Sequence, residues 1–163
     1  MREAAEPVVV GPGEGRAYGR AGAWTPVAKA TDAQTRDAYA LQEMTVAPGF
    51  PWSPPHVHRN GDEAMYVPEG ECTVRIGERV HALGAGAFAL MPRGIVHTFS
   101  DPGTVPARVI VVSPRGVIRY FEEAAALSDA SPTGQPDMEQ LAVLAEKYDI
   151  EFVSPSPGQG AGA

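Results

Sequence analysis

The chain has 163 residues, enough for one domain with a real core, and its 44% apolar and 20% charged residues are ordinary globular values. A formal net charge of −7 and a sequence pI near 5.0 argue against a nucleic-acid partner and against a basic membrane-binding surface. Cys72 is the only cysteine, so no intrachain disulfide forms. No stretch approaches the ~18 apolar residues of a membrane span, and "MREAAEPVVVGPG" lacks the apolar core of a secretion signal. A soluble, cytoplasmic protein is the expectation.

In chain order, the ends read as flexible: residues 1–6 have no apolar partner, and "SPSPGQGAGA" (154–163) has nothing to bury. Between them a single domain is expected over 7–155. Short β-like runs follow one another from residue 7 to 113: "PVVV", "WTPVAKA", "AYALQEMTV", "EAMYV", "CTVRI", "RVHAL", "AFALM", "IVHTF" and "RVIVV". Glycine- and proline-rich breaks at close spacing separate them, as in an all-β sandwich or barrel. After Pro114 the period changes. "GVIRYFEEAAAL" sets Val117, Tyr120, Phe121 and Ala125 near helical spacing, with Arg119, Glu122 and Glu123 as a solvated face. A second helix opens at Pro136 and Asp137, with Met138, Leu141, Leu144 and Ala145 on one stripe. "GPGEG" reads as a turn, because no strand–loop–helix context supports a phosphate cradle.

The chemistry gathers in "PHVHRNGDE", residues 55–63. Asn60-Gly61 is the strongest two-residue hairpin signal. A type I′ turn there sets His58 opposite Glu63, with Cβ atoms about 5 Å apart, and the period of two brings His56 to the same face. His97, on "IVHTF" after Pro92 and Gly94, is an inward-pointing histidine flanked by Ile95 and Phe99. A lone histidine on an apolar face is more often a hydrogen-bonded core residue than a ligand. Three of four histidines converging with a carboxylate is hard to explain as packing and points to a metal. His81, in "RVHAL", has no such company and reads as structural or exposed.

These residues carry a resemblance. Gly49, His56, His58, Glu63 and Gly70 resemble the first motif of the cupin family, over residues 49–70. Gly86, Pro92, Gly94, His97 and Asp101 resemble the second, over 86–101. One extra residue lies between Gly49 and His56, and Asp101 stands where the family usually has asparagine. Across residues 7–155, "VVVGPGEGRAY", "GVIRYFEEAAAL" and "LAVLAEKYDIEFVSP" are similar to small cupins of the quercetin 2,3-dioxygenase-like group. The resemblance implies an all-β double-stranded β-helix, a jelly-roll barrel, with two C-terminal helices packed outside.

It also implies one divalent transition metal on His56, His58, Glu63 and His97, which leaves two coordination positions open. Iron, manganese, nickel, copper, cobalt and zinc all suit the donor set. Glu63 serves as ligand, or detaches and acts as a base. Gln42, Met44, Met65, Val67, Ile95 and Phe99, with Phe50 and Trp52 near the mouth, are expected to line a pocket for a small apolar or aromatic substrate; Phe50 and Trp52 equally suit plugging the barrel end. Dioxygenase chemistry on a flavonol-like or other enol or phenol is the leading expectation. Non-oxidative isomerase, cyclase or decarboxylase chemistry, and small-molecule binding without turnover, stand behind it. A homodimer through residues 7–30 is expected, because small cupins often pack or exchange such strands.

Overall fold

Alternating burial sets the strands of this chain, whose computed structural model describes residues 6–18, 24–131 and 137–154. The first five strands are β1 (Arg16–Ala17), β2 (Trp24–Ala30), β3 (Ala40–Val46), β4 (His56–His58) and β5 (Glu63–Glu69). β6 (Glu71–Ile76), β7 (Arg79–Gly84), β8 (Phe88–Met91), β9 (His97–Ser100) and β10 (Ala107–Ser113) follow. Two helices, α1 (Val117–Ala130) and α2 (Met138–Lys147), precede a last strand, β11 (Ile150–Phe152). The paired strands run antiparallel in two sheets, ordered β1-β2-β3-β10-β5-β8 and β11-β4-β9-β6-β7.

From β3 to β6 every connection crosses from one sheet to the other, which is how the chain wraps a jelly roll. β3 turns Ala40, Gln42, Met44 and Val46 inward, and β10 turns Ala107, Val109, Val111 and Ser113 inward beside them. Facing side chains from the other sheet (Cys72, Val74 and Leu83) complete one closed core. Each such Val, Leu or Met contributes about 1.5–3 kcal/mol by burial, so packing between the sheets holds the fold. The β5–β6 corner requires Gly70: its φ is 77°, and a Cβ there would lie 2.8 Å from the Ala107 Cα and the Pro106 carbonyl oxygen.

The helices build a second core outside the sheets, from Val117, Tyr120, Leu144, Ala145, Tyr148 and Ile150. Asp137 caps α2 by accepting a hydrogen bond from the Glu139 N–H. Met138 is 75% exposed, so the apolar stripe of α2 starts later than its spacing suggests. Arg119 does more than solvate a helix face: it donates two hydrogen bonds to the buried Asp32 carboxylate, which also accepts from the Gly116 N–H at the start of α1. After α2, Asp149 takes a left-handed conformation (φ 58°) and sends the chain back as β11, alongside β4.

Two further sequence expectations need correction. "PVVV" forms no strand, and Val9 is 93% exposed. Among the described residues, the only strand before β2 is the two-residue β1. Asn60-Gly61 does not make a hairpin: neither residue has positive φ, and β4 and β5 lie in different sheets. The segment is instead a crossing held from outside. Asn60 donates to the Arg115 carbonyl at 3.2 Å, and Gly61 passes so near Pro114 that a Cβ would sit 3.0 Å from the Pro114 Cβ. The flexible ends expected at 1–6 and 154–163 lie almost wholly outside the described residues.

Candidate metal centre

His56, His58, Glu63 and His97 each offer a ligand atom within 4.8 Å of the others. The expected convergence is real, although its route is not the hairpin. His56 and His58 alternate on one face of β4, and His97 opens β9 directly opposite His56. The turn before β9 is latched to β4, since the Gly94 N–H donates to the His58 carbonyl at 2.9 Å. Glu63 arrives from the other sheet, as the first residue of β5. His97 Nε2 is 3.1 Å from Glu63 Oε2, and His58 Nε2 is 3.6 Å from the same oxygen.

Backbone carbonyls set two of the rings. His56 Nδ1 lies 3.0 Å from the Pro54 oxygen, and His97 Nδ1 lies 3.0 Å from the Ile95 oxygen. A carbonyl only accepts, so each Nδ1 carries the proton and each Nε2 is the nitrogen left for an ion. His58 is 2% exposed, and neither of its nitrogens has a hydrogen-bond partner. Leaving a buried imidazole unpaired is costly; coordination of a cation removes that cost. Three imidazoles and a carboxylate therefore fit a divalent transition metal.

The electrostatics agree with that donor set. Burial pushes the Glu63 carboxyl up, but the His58 and His97 rings override it and hold the group well below its usual range. Burial lowers His56 to about 4, with His97 and His58 adding to the effect and Glu63 opposing it. Burial also acts to lower His97, yet its hydrogen bond to Glu63 leaves it raised. Near neutral pH the site thus holds an anionic carboxylate and a neutral His56.

The other residues singled out from sequence are spread over the core, the barrel end and the surface. Met44, Met65 and Val67 are packed inside the closed core, at 5%, 2% and 0% exposure. Phe50 stacks on Phe99, with ring centroids 5.4 Å apart, and Arg75 lies 4.8 Å over the Trp52 ring. Ile95 is exposed beside the β9 turn. Gln42 is buried and hydrogen-bonds Ser113. His81 lies exposed on β7, and Asp101 closes the loop after β9 by accepting from the Gly103 and Ala107 N–H groups.

Two residues that sequence patterning leaves unmarked also touch the site. Ser113 donates to Glu63 Oε1 at 2.9 Å, and the Phe152 ring stands 6.2 Å from the His56 ring. Ser113 had a legible signal, a polar residue in inward register at the end of an apolar strand. Phe152 had none, because its place depends on α2 and Asp149 returning the chain to β4.

Two antiparallel sheets packed around three histidines and a carboxylate define a jelly-roll protein with a cluster that could hold a metal. Residues 42–113 match the family model described as Cupin domain. The chain is similar to Nectarin-1 of Nicotiana plumbaginifolia, 30% identical over 118 residues, which are 69% of this chain and 49% of that protein. It thus spans about half the length of that relative. A predicted oxalate decarboxylase from Thermotoga maritima superposes with a TM-score of 0.53, over 56% of this chain and 80% of that one, at 16% identity. KdgF from Halomonas sp. superposes with a TM-score of 0.50, over 58% and 82%, at 18% identity; both likenesses concern the fold alone. Residues 42–113 of the chain thus carry a cupin domain. No helix among the described residues is long and apolar enough to cross a membrane.

Proposed function

We propose that the protein is a metal-dependent enzyme, a dioxygenase acting on a small enol or phenol of the flavonol type, with His56, His58, Glu63 and His97 holding one divalent transition metal. The observation that carries this reading is the buried His58, with no hydrogen-bond partner, beside the anionic Glu63 and two rings whose Nδ1 atoms are taken by backbone carbonyls. Four protein donors leave two positions on a six-coordinate ion, the mark of a catalytic rather than a structural site. Such an ion would stabilise a substrate enolate or phenolate and, where redox-active, allow its reaction with dioxygen.

The residues of the chain divide the remaining work. Glu63 is held ionised, which supports a role as charged ligand over a role as base. His56 is half-buried, and Phe152 beside it is 42% exposed, so a flat apolar ring would approach from that side. The closed core behind the cluster, with Met65 and Val67, keeps bulk water from the rear of the site. Elemental analysis of the purified chain, followed by oxygen-uptake assays with flavonols and other enols, tests the reading. Metal without oxygen consumption would favour isomerase, cyclase or decarboxylase chemistry, or binding alone.

The assembly proposed with it is a homodimer through residues 7–30, supported by the exposed apolar run Val8, Val9 and Val10. Light scattering showing a monomer at micromolar concentration would overturn it.

A further inference from the structure

A continuous file of buried polar side chains leads away from the metal centre across the strands of the six-stranded sheet. Ser113 Oγ lies 2.9 Å from Glu63 Oε1, Gln42 Nε2 hydrogen-bonds Ser113 Oγ, and the Tyr18 hydroxyl hydrogen-bonds Gln42 Oε1. The four residues come from β5, β10, β3 and the segment after β1. Sheet register explains the placement. Ala64 pairs with Val112, so Glu63 stands one step on beside Ser113, while Ser113 pairs with Ala40, two residues from Gln42 on the same face. Ser113, Gln42 and Tyr18 are only 1%, 2% and 6% exposed.

The direction of the file follows from its end. An ionised carboxylate only accepts, so the Ser113 hydroxyl must donate to Glu63. The Ser113 oxygen then accepts from the Gln42 amide N–H, which turns the Gln42 carbonyl towards Tyr18 and leaves Tyr18 to donate. Each group polarises the next, and all of the donors point towards Glu63. Three polar side chains in an otherwise apolar wall would be a burden without such an acceptor. Met44, Val109 and Val111 show what this face holds elsewhere.

We propose that Ser113, Gln42 and Tyr18 are positioning residues for the metal centre. By occupying Glu63 Oε1, their relay leaves Oε2 alone, the oxygen nearest His58 and His97, as the carboxylate ligand. The inference rests on the metal reading above and adds to it that the carboxylate binds through one oxygen whose orientation is set from Tyr18, at the far end of the file. Groups that orient ligands in this way change metal affinity by about 10–100-fold when removed.

The test uses the full chain stripped by chelator and titrated with Co(II), reading affinity by competition with a chromophoric chelator and ligand field by visible absorption. Ser113→Ala should weaken Co(II) binding by about 10-fold or more and shift the visible bands. Tyr18→Phe, which keeps the ring packed against Phe121, should lose affinity in the same direction by less. Ser113→Thr, which restores a hydroxyl, should recover most of the loss. A merely structural network would lower the thermal midpoint without moving the bands. Wild-type affinity and bands in both Ser113→Ala and Tyr18→Phe would overturn the relay alone. Failure of the wild-type chain to bind Co(II) would overturn the metal reading and the relay with it.

Discussion

The two sheets contribute to the centre in different ways. The five-stranded sheet supplies all three imidazoles, and two of them are oriented by the carbonyl two residues earlier, Pro54 for His56 and Ile95 for His97. The six-stranded sheet supplies only Glu63, oriented through side chains far apart in sequence, Ser113 and then Gln42. The nitrogen half is therefore wired locally through backbone, and the oxygen half remotely through side chains. Backbone wiring tolerates changes of neighbouring side chains; side-chain wiring does not.

Changes on the carboxylate side should accordingly have the largest effect. Glu63→Gln keeps the shape and an oxygen donor but removes the charge; it should retain part of the metal and lose most turnover, read by metal content and rate on the same preparation. Unchanged turnover would show that the charge is dispensable. On the imidazole side, β4 is flanked by β11, which the helices hold in place. Asp32→Ala removes the carboxylate that anchors α1 through Gly116 and Arg119. It should cost about 1–3 kcal/mol in chemical denaturation, because the Gly116 N–H loses its partner while the half-exposed Arg119 rehydrates.

A smaller effect separates the rings by pH. In the metal-free chain His56 stays neutral when folded down to about pH 4, whereas the unfolded imidazole protonates near 6.5. The unfolded state then binds the extra proton, so the His56 contribution to stability is lost as pH falls from about 6.5 towards about 4. His97, raised by Glu63, works the other way: its contribution is present below its unfolded value and lost as pH rises through its folded one. His56→Gln should flatten the acid side of the stability profile, and a profile parallel to wild type would contradict the assignment. Smallest of all is Ile95→Ala. Ile95 acts on His97 through its carbonyl, so metal affinity should stay within about twofold; a tenfold loss would show that the side chain does the orienting.

The same contrast explains what was legible in the sequence. Strands β2, β3, β5 to β8 and β10 announce themselves by alternation and by glycine or proline breaks, and the ligands by their residue types. The Asn60-Gly61 signal misled about the path because turn propensity is local, whereas Pro114 and Arg115, more than fifty residues on, decide how that segment runs. β11 is three residues long and carries no alternation to read. Tyr18 and Ser113 join Glu63 only once the register of three strands is set. Backbone-wired features could be read from spacing; those assembled by long-range register could not.

The central claim is that these four side chains hold one ion. Titrating the chelator-stripped chain with a divalent transition metal, beside His58→Ala, tests it most directly. One ion per wild-type chain, with stoichiometric binding lost in His58→Ala, is the expected result. No saturable binding in the wild type, or full occupancy in His58→Ala, would contradict it.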